Sequence, residues 1–203
     1  MEMRFFRNEK GFTGLEAAIV LIAFVTVAAV FSYILLGAGF FATQKSQEVV
    51  HTGVKQATSS MEIVGSIVAI GNTTNNNVTN VTFTLQLAAG GQPIDLSKTL
   101  ITVLVPADGT FKELKYNKSL PDEANRSKEY YVRWVYSLQG KDQEDDYLEE
   151  FEKAEVTVYL EAAGFDVDPN DNFIIEVKPP IGAAYPIELK APPSIDKVMV
   201  LLR

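Results

Sequence analysis

One stretch of this chain dominates what it can fold into. After Lys10-Gly11-Phe12-Thr13-Gly14-Leu15-Glu16 the sequence is apolar from Ala17 to Ala42, and no charged side chain occurs between Glu16 and Lys45. As a helix such a run exceeds the roughly 20 residues that cross a hydrocarbon core about 30 Å thick. Ile19, Val20, Leu21, Ile22, Phe24, Val25, Val27, Val30, Phe31, Ile34, Leu35 and Leu36 cover every face of that helix. A helix apolar all round belongs in a membrane or inside a protein bundle.

Past Lys45 the pattern turns amphipathic. Val50, Val54, Ala57 and Met61 fall at helical spacing among Lys45, Gln47, Glu48, Lys55 and Gln56, which predicts one helix continuing to about Ser60. Gly37 and Gly39 are small enough to let two helices approach closely, and equally are a soft point where a helix bends. From Ile63 the period becomes two. Strands are predicted over Ile63–Ile70, Val81–Leu87, Leu100–Val105, Glu129–Tyr136, Glu155–Ala162, Phe173–Val177, Tyr185–Leu189 and Val198–Leu202. Gly90-Gly91, Asp108-Gly109, Gly140, Pro169-Asn170-Asp171 and Pro192-Pro193 separate them as turns. The predicted fold class is α+β: a long hydrophobic N-terminal helix, then an antiparallel immunoglobulin-like β-sandwich of about 140 residues, large enough for its own core. The acidic stretch from Asp142 to Glu152 reads as a short helical turn or a solvated loop.

Composition removes several classes of function. The formal charge of −8 and the lack of a basic patch give nucleic acid nothing to bind. With no cysteine and His51 as the single histidine, neither thiolate metal sites nor Ser-His-Asp or Cys-His catalysis has support. No phosphate-binding glycine loop or zinc motif occurs, so the chain reads as no enzyme, with no catalytic residues.

The N-terminus does not fit an ordinary secretory signal. Arg4, Arg7 and Lys10 form a basic start, but the apolar run is too long and no small-residue cleavage site ends it. Gly11 is the small residue at the charged-to-apolar boundary, before the run. Lys10-Gly11-Phe12, with Glu16 at the fifth position after the glycine, resembles the type III signal peptide of type IV pilins and archaeal flagellins (archaellins). The continuation from Gly14 to Phe24, and Gly37 to Lys45, is closer to archaellins. The resemblance implies cleavage between Gly11 and Phe12 by a prepilin-type signal peptidase. Residues 1–11 would then be the signal peptide, 12–61 the hydrophobic helix and 62–203 the outer domain. Removing three cations and two anions takes the formal charge from −8 to −9. An uncleaved single-pass anchor, its basic leader held inside by the positive-inside rule, is the alternative.

Glu16 admits two readings. A carboxylate in the first turn of a helix is favoured by the dipole, typically by 0.3–1 kcal/mol. The resemblance implies instead an assembly role, pairing with the new α-amino group of Phe12 on a neighbouring subunit. By the same resemblance the helix waits in the cytoplasmic membrane and then enters the core of an extracellular filament built of copies of the chain, with or without other archaellins. Motor and platform proteins in the membrane rotate that filament for swimming. An adhesive type IV pilin and a membrane-anchored surface binding module are the other readings.

Five Asn-x-Ser/Thr sequons, at Asn72, Asn77, Asn80, Asn117 and Asn125, are candidate glycosylation sites in or beside predicted loops, and Asn/Thr-rich loops also generate the motif by composition. Asp166, Asp168 and Asn170 gather hard oxygen ligands of the kind calcium takes. Asp171 stands where an EF-hand loop needs glycine and Val177 where it needs glutamate, and a polar turn between strands explains the run more simply.

Overall fold

A computed structural model describes residues 14–107, 109–138 and 145–201, with the side chain of Thr58 left out. The chain divides into two compact units, one ending at His51 and the other beginning at Thr52. The predicted helix is α1, Gly14–Thr58, unbroken through Gly37 and Gly39. At 1.5 Å per residue its 45 residues extend about 68 Å. Lys55 lies in its last turn, and the Lys55 carbonyl accepts from both the backbone N–H and the hydroxyl of Ser59, closing the helix.

The strands follow as β1 (Met61–Asn72), β2 (Asn77–Leu87), β3 (Ile94–Asp95), β4 (Leu100–Val105), β5 (Thr110–Asn117), β6 (Glu129–Tyr136), β7 (Tyr147–Leu148) and β8 (Lys153–Tyr159). A helical turn, α2 (Leu160–Ala163), precedes β9 (Asn172–Lys178), β10 (Tyr185–Lys190) and β11 (Val198–Leu201). All eight predicted strands are present. β3, β5 and β7 were not expected. The strand predicted to run to Ala162 stops at Tyr159, because the chain coils through α2 and leaves it at Gly164, whose φ of +83° lies in the left-handed region where glycine is unstrained.

Nine strands form one sheet in the order β10-β9-β4-β5-β6-β8-β2-β1-β11, and β3 pairs with β7 separately. Among the described residues every strand pairing is antiparallel except β5 with β6, which run parallel. A parallel pair needs a crossover, and residues 118–128 supply it. One face alternates as the sequence predicts: Val81, Phe83, Leu85 and Leu87 of β2 are all buried. So are Ile101, Val103 and Val105 of β4 and Phe173, Ile175 and Val177 of β9. The residues of α1 are exposed. The two halves of the sheet cover each other, and their side chains merge in one core cluster.

Polar anchors fix the loops to that core. Asp95 caps the 3-10 turn Leu96–Lys98 by accepting from the Ser97 N–H at 3.0 Å, and pairs with Lys98 at 2.7 Å. Burial pushes the Asp95 carboxyl up, but hydrogen bonds from Lys98 and Ser97 outweigh it and leave the group below its ordinary value. Beside it the buried Tyr130 hydroxyl donates to the carbonyls of Leu96 at 3.2 Å and Thr99 at 2.7 Å. Burial, with a smaller contribution from the Asp95 charge, raises the Tyr130 pKa. Tyr130→Phe leaves these acceptors without that donor inside the protein and is expected to cost about 1–3 kcal/mol. For a domain of this size that lowers the melting temperature by roughly 2–4 °C per kcal/mol, measurable by near-ultraviolet circular dichroism. An unchanged melting curve rejects the anchor role.

Candidate assembly interface

The residues of α1 that the sequence marks as apolar are where the structure concentrates unmet need. Its best 18-residue window has a mean hydropathy of 2.8, and none of that window is buried within the chain. Twelve large aliphatic or phenylalanine side chains between Ile19 and Leu36 are more than half exposed. At about 1.5–3 kcal/mol for each such side chain moved from water to an apolar site, leaving them wet forfeits roughly 20 kcal/mol or more. That exceeds the 5–15 kcal/mol that holds a typical domain folded. The helix therefore requires lipid or other protein around it on all sides.

Its polar groups are already prepared for such surroundings. The hydroxyl of Thr26 donates to the Ala23 carbonyl and that of Thr43 to the Gly39 carbonyl, both at 2.9 Å, so neither brings an unpaired donor into an apolar medium. A methyl group added at Gly37 or Gly39 would meet nothing within 4 Å. The helix is unbroken there, and the open space at both glycines is compatible with a neighbouring helix coming close. Hollows along the helix, one lined by Val20, Phe24, Val27, Ala28 and Phe31, are grooves between side-chain ridges of the kind that receive a second helix. Lys45 pairs with Glu48 at 2.7 Å, after the run ends.

The other predicted sites are scattered. Gly11 and Phe12 lie outside the described residues. Glu16 is in the first turn of α1, as the dipole favours. Asn72 accepts from the backbone N–H groups of Thr74 and Asn75 at the turn after β1. Asn77 is only 7% exposed, and its amide nitrogen donates to Asp166 at 3.0 Å. That position is not the accessible loop the sequence suggests. Asn80 lies within β2, opposite Ile70 and Tyr159. Asn117 ends β5 with its amide nitrogen on Glu129 at 2.6 Å. Asn125 is exposed in the crossover between β5 and β6.

The calcium-like run is a polar turn. Phe165 and Val167 point into the core while Asp166 and Asp168 point out. The Asp166 carboxylate serves Asn77, and Asp171 accepts from the Asp168 N–H at 3.2 Å. Asn170 adopts a left-handed φ of +70°, turning the chain. Among the described residues no three His, Cys, Asp or Glu side chains gather as a metal site.

One constructed feature was not foreseen. Within the acidic stretch, Glu152 is 2% exposed, and its carboxylate accepts from the Ser137 hydroxyl at 3.0 Å, the Leu138 N–H at 2.9 Å and the Glu149 N–H at 3.0 Å. Glu152 itself is not solvated, although Asp145 and Glu150 of the same stretch are exposed, and it fixes the turn that carries Phe151.

Comparison with known proteins places this geometry. The family described as archaeal-type flagellin matches residues 11–189. A protein of Archaeoglobus fulgidus called probable flagellin 1 is 77% identical over 205 residues, covering 100% of each chain. A second from that organism, probable flagellin 2, is 44% identical over 95% of this chain and 94% of its own. A chain of the solved archaeal flagellum of Methanospirillum hungatei superposes with a TM-score of 0.71 at 31% identity, over 94% of this chain and 100% of that one.

Proposed function

The chain belongs to the archaeal-type flagellin family, and on that premise we propose how its parts serve a filament. It is a structural subunit of the extracellular archaellum filament used for motility, and the adhesive pilin and the anchored binding module are not favoured. The family is a structural one, and catalysis forms no part of the reading. The observation that carries the proposal is α1, apolar on every face and exposed along its whole length. In the filament it forms the core with copies of itself, alone or with other archaellins, while the sheet domain forms the surface.

Before assembly the same helix waits in the cytoplasmic membrane. Transfer from lipid to bundle keeps its apolar surface out of water throughout, so no barrier of hydration opposes it. The charged leader before Phe12 has no place in an apolar bundle, which supports removal after Gly11 by a prepilin-type peptidase. Rotation falls to motor and platform proteins in the membrane. Among the sequons, Asn125 is the most open and Asn72 lies on a turn, which supports sugar at those positions. The buried, engaged amide of Asn77 argues against it there.

Electron microscopy of cells with and without the gene, paired with a swimming assay, tests the function. Loss of filaments and swimming together supports it, and filaments of normal number without the gene reject it. For Glu16 we expect Glu16→Gln to reduce filament number and length while export continues. The removed charge is worth only about 0.3–1 kcal/mol to the helix itself, too little to stop assembly. Normal filaments in that variant leave the dipole as its whole role.

A further inference from the structure

The outward face of the sheet half β6-β8-β2-β1-β11 is polar through its middle. Arg133 pairs with Glu155 at 2.7 Å, and the Thr82 and Thr157 hydroxyls meet at 3.4 Å. Two corners break that pattern. At one, Val68 stands opposite Val200 and Ile70 opposite Val198, and the two β11 valines are 64% (Val198) and 61% (Val200) exposed. At the other, Tyr136, Leu138 and Phe151 are each more than half exposed.

The second corner is built rather than incidental. Phe151, 66% exposed, has a φ of +70°. A bulky residue in the left-handed region is a genuine outlier, and such strain persists only where the surroundings impose it. Here the next residue, Glu152, ties the turn to the end of β6, accepting from the Glu149 N–H within the turn and from Ser137 and Leu138 beside it. The chain holds an aromatic ring outward at a cost in backbone strain.

The first corner is the β11 edge of the sheet, with the exposed Lys197, whose carbonyl accepts from the Gly71 N–H, at its start. Natural sheets protect their edges with charge or proline. The opposite edge, β10, does so with Pro186, Glu188 and Lys190 pointing out. β11 is Val198-Met199-Val200-Leu201, with no charge and no proline. Gly71 seats this edge, since a Cβ there would collide with the Ile195 side chain and the Asp196 carbonyl.

The register places the corners diagonally. Tyr136 lies opposite Lys153, which lies opposite Gln86, whereas Ile70 lies opposite Asn80. Six residues of β2 separate those levels, about 20 Å, and four strand spacings separate β6 from β11, about 19 Å. A filament repeats one heterologous contact in which two different patches of each copy meet. We propose that the Phe151 turn of one copy docks on the β11 edge of a neighbouring copy in the filament.

The occupant is a second copy for a reason of size. A handful of side chains per corner falls well below the roughly 1,000 Å² that a free-standing interface needs. A partner arriving from solution would not stay. A copy already tethered through α1 is present at an effective concentration on the order of millimolar, and a small contact then suffices. The inference rests on the filament reading above.

The chain has no cysteine, so a pair can be introduced cleanly. Filaments of the double variant Phe151→Cys, Val200→Cys, treated with a short bis-maleimide, should give a ladder of covalent multimers. Each single variant should stay monomeric under the same treatment. Intact filaments without a ladder overturn the contact and leave the filament reading standing, whereas absence of filaments from the unsubstituted chain defeats the filament reading itself. Dimers from Phe151→Cys alone overturn the head-to-tail pairing, because they require a symmetric contact. Phe151→Gly gives a second measurement. Glycine relieves the strain, so the sheet domain should melt no lower, while the filaments dissociate at a lower temperature. Filaments of undiminished stability in that variant also overturn the proposal.

Discussion

Val27→Asp is expected to abolish filaments while leaving the sheet domain folded. Val27 sits in the middle of the apolar run, with Phe24, Val25, Val30 and Phe31 around it and no cation between Glu16 and Lys45 to pair with a new carboxylate. A lone charge in an apolar bundle costs several kcal/mol even after relaxation. In the membrane the same charge costs about 2.5–3.5 kcal/mol at the helix centre, so the waiting state is weakened as well. Because every subunit carries the change, the cost recurs with each copy added, and none of it can be diluted along the filament. The buried residues of the sheet domain begin at Ser59, so its near-ultraviolet circular dichroism should not change. Val27→Leu, which keeps the site apolar, should assemble. The measurement is electron microscopy of sheared cell-surface material. Long, numerous filaments from Val27→Asp would show that α1 does not occupy an apolar core.

What was legible in the sequence follows from where the physical signal is local. α1 was readable from composition alone, because twenty-six consecutive residues from Ala17 to Ala42 carry no charge. β2 and β9 were readable because each alternates cleanly between core and surface. β5 was not, because its pattern is reversed. Phe111 faces outward and is exposed, while Lys112 lies on the inward side and sends its Nζ to the Ala163 carbonyl at 2.7 Å. A lysine that reaches a carbonyl fifty-one residues away leaves no trace in a local period. The same holds for Glu152. In an acidic run it reads as solvated, and only Ser137 and Leu138, brought alongside by the β6–β8 pairing, make it a buried anchor. Asn77 lies beside the turn at 73–76 yet is buried, because Asp166, far along the chain, captures its amide. The readings of Glu16 and of the Gly11-Phe12 junction rest on family resemblance alone, since no periodicity marks either.

Gly11→Val should arrest the chain as an unprocessed precursor. The prediction starts from the boundary itself: Lys10 is charged, Phe12 begins the apolar segment, and Gly11 is the small residue between them. A peptidase that reads this junction must accommodate the side chain before the scissile bond, and glycine presents none. Valine adds a branched, χ1-restricted side chain close to the backbone. With the leader in place, Arg4, Arg7 and Lys10 remain attached to the start of the helix. Cations next to a membrane span stay on the cytoplasmic side, and three of them carried into an apolar bundle outnumber the single carboxylate, Glu16, that precedes the uncharged run. The expected result is a single species with Met1 or Glu2 at its N-terminus, confined to the membrane fraction, and no filaments on the cell. Gly11→Ala, still small, should be processed and should assemble. N-terminal sequencing and membrane fractionation of both variants decide the matter. Filaments containing Gly11→Val subunits with intact leaders would mean that cleavage is not the step that releases α1 for assembly, and the anchored reading of residues 1–11 would take its place.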